Sequence, residues 1–239
     1  NRHRKNYFAG ESHMSNHPTS WPSMTRRESE RARRRRKKAW VTESPLDIRA
    51  FYRDTLGVQG DDVLDLYTKN TSYVYRNKGE VFVHPGEPVT MVRFVISGVS
   101  RSYVLGPEGE DNVLCFGFRY GQPLLGASSL SAKTILFQEA VTDMELLEIP
   151  VFIVQQGIRM EFANAAVYER LFSEDYDRQT QVQIALSTLS GEDRYRWFCK
   201  DYADIVDVVP QNYIASFLGL QPQSLSRIKR QMKEREGDE

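Results

Sequence analysis

The stretch from Pro210 to Met232, PQNYIASFLGLQPQSLSRIKRQM, holds the residues whose types and spacing could do chemistry. Its second half carries Gln223, Ser224, Ser226, Arg227, Lys229 and Arg230, so amide, hydroxyl and cationic groups crowd one short segment. Such groups recognise duplex DNA. An arginine pairs bidentately with guanine O6 and N7, a glutamine with adenine N6 and N7, and a hydroxyl with either kind of base edge. Arg227 and Gln223 are therefore the candidate base readers, with Ser224 and Ser226 beside them. Lys229 and Arg230 suit phosphates, and Gln211 can anchor the DNA backbone from the start of the preceding segment.

Presenting those groups takes two helices and a tight turn. Ala215 stands before Gly219, and Leu225 and Ile228 follow it. A small residue on the first helix lets the second pack closely across it, and glycine tolerates the positive φ of the turn. Ile214, Leu218, Leu225 and Ile228 can then be buried between the helices. Pro210 and Pro222 suit helix first turns, where the missing N–H costs nothing. The register predicts a helix-turn-helix, weighed against an ordinary helical hairpin in an enzyme.

Enzymatic chemistry finds little support. His84 is the only histidine in the β-rich part of the chain, and no nucleophile–base pairing stands out. Cys115 and Cys199 are the only cysteines, too few for a disulfide scaffold or a four-cysteine iron–sulfur cluster. No enzyme, cofactor or metal site is expected. No run approaches the roughly 20 apolar residues of a membrane span, so a cytoplasmic protein without a membrane partner is expected. The 32 basic and 32 acidic residues cancel, but phosphate contacts depend on a local basic surface, not the chain average.

Residues 1–44 are polar and include the run RRESERARRRRKKAW at Arg26–Trp40. Like charges repel and little is buried, so this tail is expected to be disordered, with Ser12-His13-Met14 reading as an added or upstream segment. Residues 45–71 show a helical apolar rhythm. Short β-prone runs then occur at 73–75, 81–83, 91–96, 101–105, 113–118, 135–141 and 145–149, divided by glycine- and proline-rich turns, which predicts a barrel or sandwich. After Pro150 the chain turns helical to 189. Ala165, Tyr168, Phe172, Val182, Leu186 and Leu189 form a heptad-like stripe that can meet a second copy or the chain's own barrel. Ser190-Gly-Glu-Asp193 reads as a capping box that opens the next helix.

Helix, β-barrel, long helix and C-terminal helix-turn-helix, in this order over residues 46–232, resemble the Crp/Fnr family of bacterial transcription regulators. Lys78-Gly-Glu-Val-Phe-Val-His-Pro-Gly-Glu87 is similar to the family's opening β-roll motif, and Phe94-Val-Ile-Ser-Gly-Val-Ser100 to the strand-turn after it. The run VPQNYIASFLGLQPQSLSRIKR is similar to the helix-turn-helix of a Crp-like subgroup. The resemblance implies an α+β fold. A β-roll (jelly-roll-like) sensor domain would span 45–155, a dimerisation helix 156–189 and a winged helix-turn-helix 190–239. It implies a homodimer on a near-palindromic DNA site, with RNA polymerase as a further partner. The alternative is a sensing module whose helix-turn-helix contacts protein instead.

Cyclic-nucleotide-binding members hold the ribose with a glycine–glutamate pair and the phosphate with an arginine followed by serine or threonine. Here Gly126 is followed by Ala127 and Ser128, and Thr134-Ile135 stands in the place of arginine–serine. The resemblance therefore places a candidate effector pocket at Leu125, Gly126, Ala127, Ser128, Lys133 and Thr134, without the bidentate phosphate grip of a guanidinium. The effector is unknown, and cyclic AMP in the usual mode is not expected. Pro222 and Gln223 replace a family arginine and glutamate, which implies an altered base preference, whereas Arg227 matches a family arginine.

Overall fold

The computed structural model describes residues 46–126, 130 and 132–237. The expectations for the tail at 1–44, and for Ala127 and Ser128, lie outside these residues. A short helix α1 (Ile48–Ala50) runs into a π turn at Phe51–Thr55, and α2 (Asp61–Asn70) follows. Asp47 caps α1 by accepting a hydrogen bond from the Ala50 amide. Asp61 and Asp62 occupy the first turn of α2, where the helix dipole favours negative charge.

Seven strands come next: β1 (Ser72–Arg76), β2 (Val81–Val83), β3 (Met91–Ser97), β4 (Ser100–Leu105), β5 (Asp111–Gly117), β6 (Phe137–Ala140) and β7 (Met144–Pro150). They form two antiparallel sheets, β1-β7-β3 and β2-β6-β4-β5. The β-prone runs of the sequence become these strands, with one shortened. The sixth run begins at Phe137 because the backbones of Thr134 and Ile135 bond instead to Glu87 and Gly126. At the β3–β4 turn Gly98 has φ +84°, and a Cβ there would collide with the Asp143 carbonyl, so glycine is required.

The remaining helices are α3 (Val151–Met160), α4 (Asn164–Thr188), α5 (Gly191–Asp201), α6 (Gln211–Phe217) and α7 (Pro222–Gly237). The helix expected over 156–189 is thus interrupted at residues 161–163. Buried Asn164 pins the new start: its amide donates to the Gln59 carbonyl at 3.0 Å and its oxygen accepts the Gln59 N–H at 2.8 Å. A second difference concerns the wing. Among the described residues no strand follows β7, and the segment from Tyr202 to Val209 runs as turns. The helix-turn-helix is present, without wing strands among the described residues. No helix among the described residues is long and apolar enough to cross a membrane.

Two large cores organise the chain. One packs Phe51, Tyr52 and Tyr67 against Phe94, Leu147 and Ile149 of the three-stranded sheet, closed by Tyr168 and Leu171 of α4. The other joins Tyr103, Val113 and Phe116 of the four-stranded sheet to Phe198, Tyr202, Phe217, Leu225 and Ile228. A smaller cluster of Val95, Ala140, Met144 and Leu146 contributes strand residues from both sheets. Each fully buried large apolar side chain contributes about 1.5–3 kcal/mol. Much of the heptad-like stripe of α4 is used within the chain, with Tyr168 in the first core and Val182 in the second. Tyr176 and Ile184 of α4 remain exposed.

Candidate nucleic-acid interface

The helix-turn-helix is assembled from its apolar register. Ile214, Ala215, Leu218 and Leu225 are almost wholly buried and Ile228 nearly so. Gly219 adopts φ +63°, and the Leu220 amide bonds back to the Ala215 carbonyl at 2.9 Å. Arg194 of α5 ties the turn to the rest of the chain. Its guanidinium donates to the Leu218 carbonyl and to the Leu189 carbonyl, both at 3.1 Å. Ser190 caps α5, its hydroxyl accepting from the Asp193 amide at 3.3 Å, as the capping-box reading expects. Arg194 has no sequence signal, because the carbonyls it serves belong to two different helix ends.

Burying Leu225 and Ile228 turns the opposite side of α7 outward. Gln223, Ser226, Arg227 and Arg230 are exposed there, at the i, i+3, i+4, i+7 spacing of one helical face. Their commitments differ. The Ser226 hydroxyl donates to the Pro222 carbonyl at 3.0 Å, and Arg230 lies 3.8 Å from Glu234. Lys229, half-buried on the flank, donates to the exposed Gln211 at 2.9 Å and lies 5.8 Å from the Tyr195 ring centre. Arg227 makes no ion pair or hydrogen bond among the described residues. Ser224 is half-buried and lies off this face. The arrangement thus offers one uncommitted guanidinium, one exposed amide and two flanking cations on a single convex helix, which suits a groove of nucleic acid.

The candidate effector residues divide between two cavities. Leu125 and Gly126 line a groove of about 580 Å³ between the roll and α4, together with Leu114, Ile135 and Phe172. Gly126 also meets buried Thr134 at a second cavity of about 50 Å³ in the roll, lined too by Arg93 and Gln138. The Thr134 hydroxyl lies within 3.2 Å of the His84 carbonyl and 3.0 Å of the Leu136 carbonyl. The Lys133 side chain is exposed and does not line the groove. The charged groups among the groove's described lining residues are Asp175 and Asp177, and Asp175 pairs with Arg178 at 3.2 Å. Burial pushes the Asp175 carboxyl above its ordinary range despite the opposing pull of Arg178. Cys115 is a free, half-buried thiol raised chiefly by burial. Such a thiol holds its proton and is a weak nucleophile.

His84 stands 3.7 Å from Glu87 and packs its ring edge-on near Phe137. No group of three or more His, Cys, Asp or Glu side chains able to hold a metal ion occurs among the described residues.

No family model matches the chain, and no curated protein matches it. Solved structures do. FixK2 from Bradyrhizobium japonicum is 17% identical with a TM-score of 0.62, over 69% of this chain and 85% of its own. A protein from Eubacterium rectale, described as a transcriptional regulator of the Crp/Fnr family, is 19% identical with a TM-score of 0.62, over 77% of this chain and 87% of its own. The c-di-GMP responsive global regulator CLP of Xanthomonas campestris is 16% identical with a TM-score of 0.58, over 73% of this chain and 92% of its own. The chain has the fold of the Crp/Fnr transcription regulators.

Proposed function

We propose that the protein is a homodimeric, sequence-specific DNA-binding transcription regulator of Crp/Fnr type. One observation carries the reading: α7 holds Gln223, Ser226, Arg227 and Arg230 on one exposed face of a helix-turn-helix whose apolar register is fully packed. Arg227 and Gln223 read base edges. Lys229, Arg230 and Gln211 set the register on phosphates, with Ser224 and Ser226 beside them. The second copy meets α4 and its approach, where Phe162, Tyr176 and Ile184 are exposed. Two recognition helices then address half-sites about one helical turn apart. RNA polymerase is the further partner at promoters where the protein activates.

The roll senses something other than cyclic AMP in the usual mode. The groove beside α4 presents carboxylates and apolar side chains, with no cation among its described lining residues. Arg93, the cation among the described residues lining the smaller cavity, is paired with Glu148 at 3.0 Å and so is not free to oppose a phosphate. The volume of the groove is that of an ordinary small-molecule site.

Titrating duplex DNA against the protein at increasing salt tests the reading. Binding should weaken steeply, with log K falling by about 0.9 per phosphate neutralised for each tenfold rise in salt. A flat response, or no retention on any duplex, would favour a sensing module whose helix-turn-helix contacts protein.

A further inference from the structure

The first helix of the helix-turn-helix is fastened to the roll through a buried arginine. Arg101 of β4 is 3% exposed and lies between two rings, 4.1 Å from the centre of Tyr103 in the roll and 3.8 Å from that of Tyr213 in α6. Its guanidinium also pairs with Asp111 at 2.6 Å and Glu139 at 2.7 Å. Its Nη1 has no hydrogen-bond partner, which fits a guanidinium held by ring faces as much as by carboxylates.

One turn along α6, Ser216 completes the attachment. Its hydroxyl accepts the Val113 N–H at 2.9 Å and donates to the Asp111 carbonyl at 2.7 Å. β5 is the edge of its sheet, so these backbone groups have no neighbouring strand to pair with. Phe217 continues the contact against Phe116 at 5.2 Å. The face of α7 opposite this contact stays exposed, so docking does not cover the groups proposed to meet DNA.

We propose that Arg101 is a positioning residue for DNA recognition. By stacking on Tyr213 it clamps α6 to the roll and fixes the direction in which α7 is presented. The positioning role rests on the DNA-binding reading above; the clamp itself does not. An orientation fixed in advance spares the ordering cost at binding, so a loosened clamp should weaken DNA affinity.

The Val113 amide reports docking directly, because its hydrogen-bond acceptor belongs to α6. Hydrogen exchange at that amide and duplex affinity are measured on the full chain for three variants. Tyr213→Ala removes the ring. Arg101→Lys keeps the charge beside Glu139 and Asp111 but loses the planar face, and so guards against a variant that fails to fold. Tyr213→Phe keeps the stack. In the first two variants Val113 exchange should quicken by about tenfold and duplex affinity fall several-fold, as for loss of a desolvated cation–π contact. Tyr213→Phe should match the wild type in both.

Unchanged Val113 exchange in the first two variants would overturn the clamp. Faster exchange with equal or tighter DNA binding would overturn the positioning role. A wild type that binds no duplex ends the DNA reading and the positioning role with it, while the exchange pattern still decides whether the clamp exists.

Discussion

Arg227 differs from Lys229 and Arg230 in making no ion pair or hydrogen bond among the described residues. Lys229 is engaged by Gln211 and Arg230 lies beside Glu234, so their charges are partly satisfied before DNA arrives. Arg227→Ala should cost about 1–3 kcal/mol of binding and relax specificity at one base pair, measured by affinities across a set of singly substituted sites. Uniform weakening across that set would show that Arg227 only meets phosphate. The sequence exposes Arg227 because helical spacing from buried Leu225 and Ile228 dictates which way it faces. It hides Arg101, whose partners Asp111, Glu139 and Tyr213 come from two other strands and a distant helix. Nothing in the local pattern around Arg101 marks a buried cation. Thr134 is a mixed case: its place in the sequence puts it at a candidate pocket and it lines a small cavity, but its hydroxyl is directed at main-chain carbonyls.

At the level of elements, a small charge network binds the three-stranded sheet across its width. Glu148 of β7 meets Arg76 of β1 at 2.6 Å and Arg93 of β3 at 3.0 Å. Burial alone would raise the Glu148 carboxyl, but the two guanidiniums outweigh it and hold it below the ordinary glutamate value. A carboxylate with a depressed folded-state value stabilises the fold above its unfolded value, about 4.3. That stabilisation is lost as the pH falls through the lower, folded value. Glu148→Gln should therefore cost about 1–3 kcal/mol at neutral pH, because two half-buried arginines lose a shared carboxylate while Arg76 keeps Glu80 at 2.9 Å. It should also flatten the fall of Tm below about pH 4.3. An equally steep fall in the variant would place the acid sensitivity elsewhere. The strands themselves are legible from β-prone runs between turn residues, since tight turns and half-buried faces are local properties. The break in the long helix is not, because Asn164 holds it through a contact with Gln59 far away in the chain. That residues 202–209 run as turns is likewise announced by no local signal.

Across the whole molecule, the second core does what no single element could. It joins the roll to the helix-turn-helix through Phe116, Phe198, Tyr202 and Phe217, so a change in the roll has a packed route to α6. The order of the parts is readable from the sequence because each carries its own periodicity. Their mutual packing is not, since the aromatic residues involved would read equally well as separate cores. The stripe on α4 shows the same limit: Tyr168 and Val182 look available to a partner, yet both are buried within their own chain. Phe162, Tyr176 and Ile184 are exposed, as the proposed contact with a second copy requires. The central claim is that two such copies read DNA together. Selection of tight-binding duplexes from a random pool tests it most directly. The account predicts enrichment of an inverted repeat whose half-sites lie about 10 base pairs apart, centre to centre. Enrichment of a single unrepeated half-site, or of no sequence at all, would contradict it.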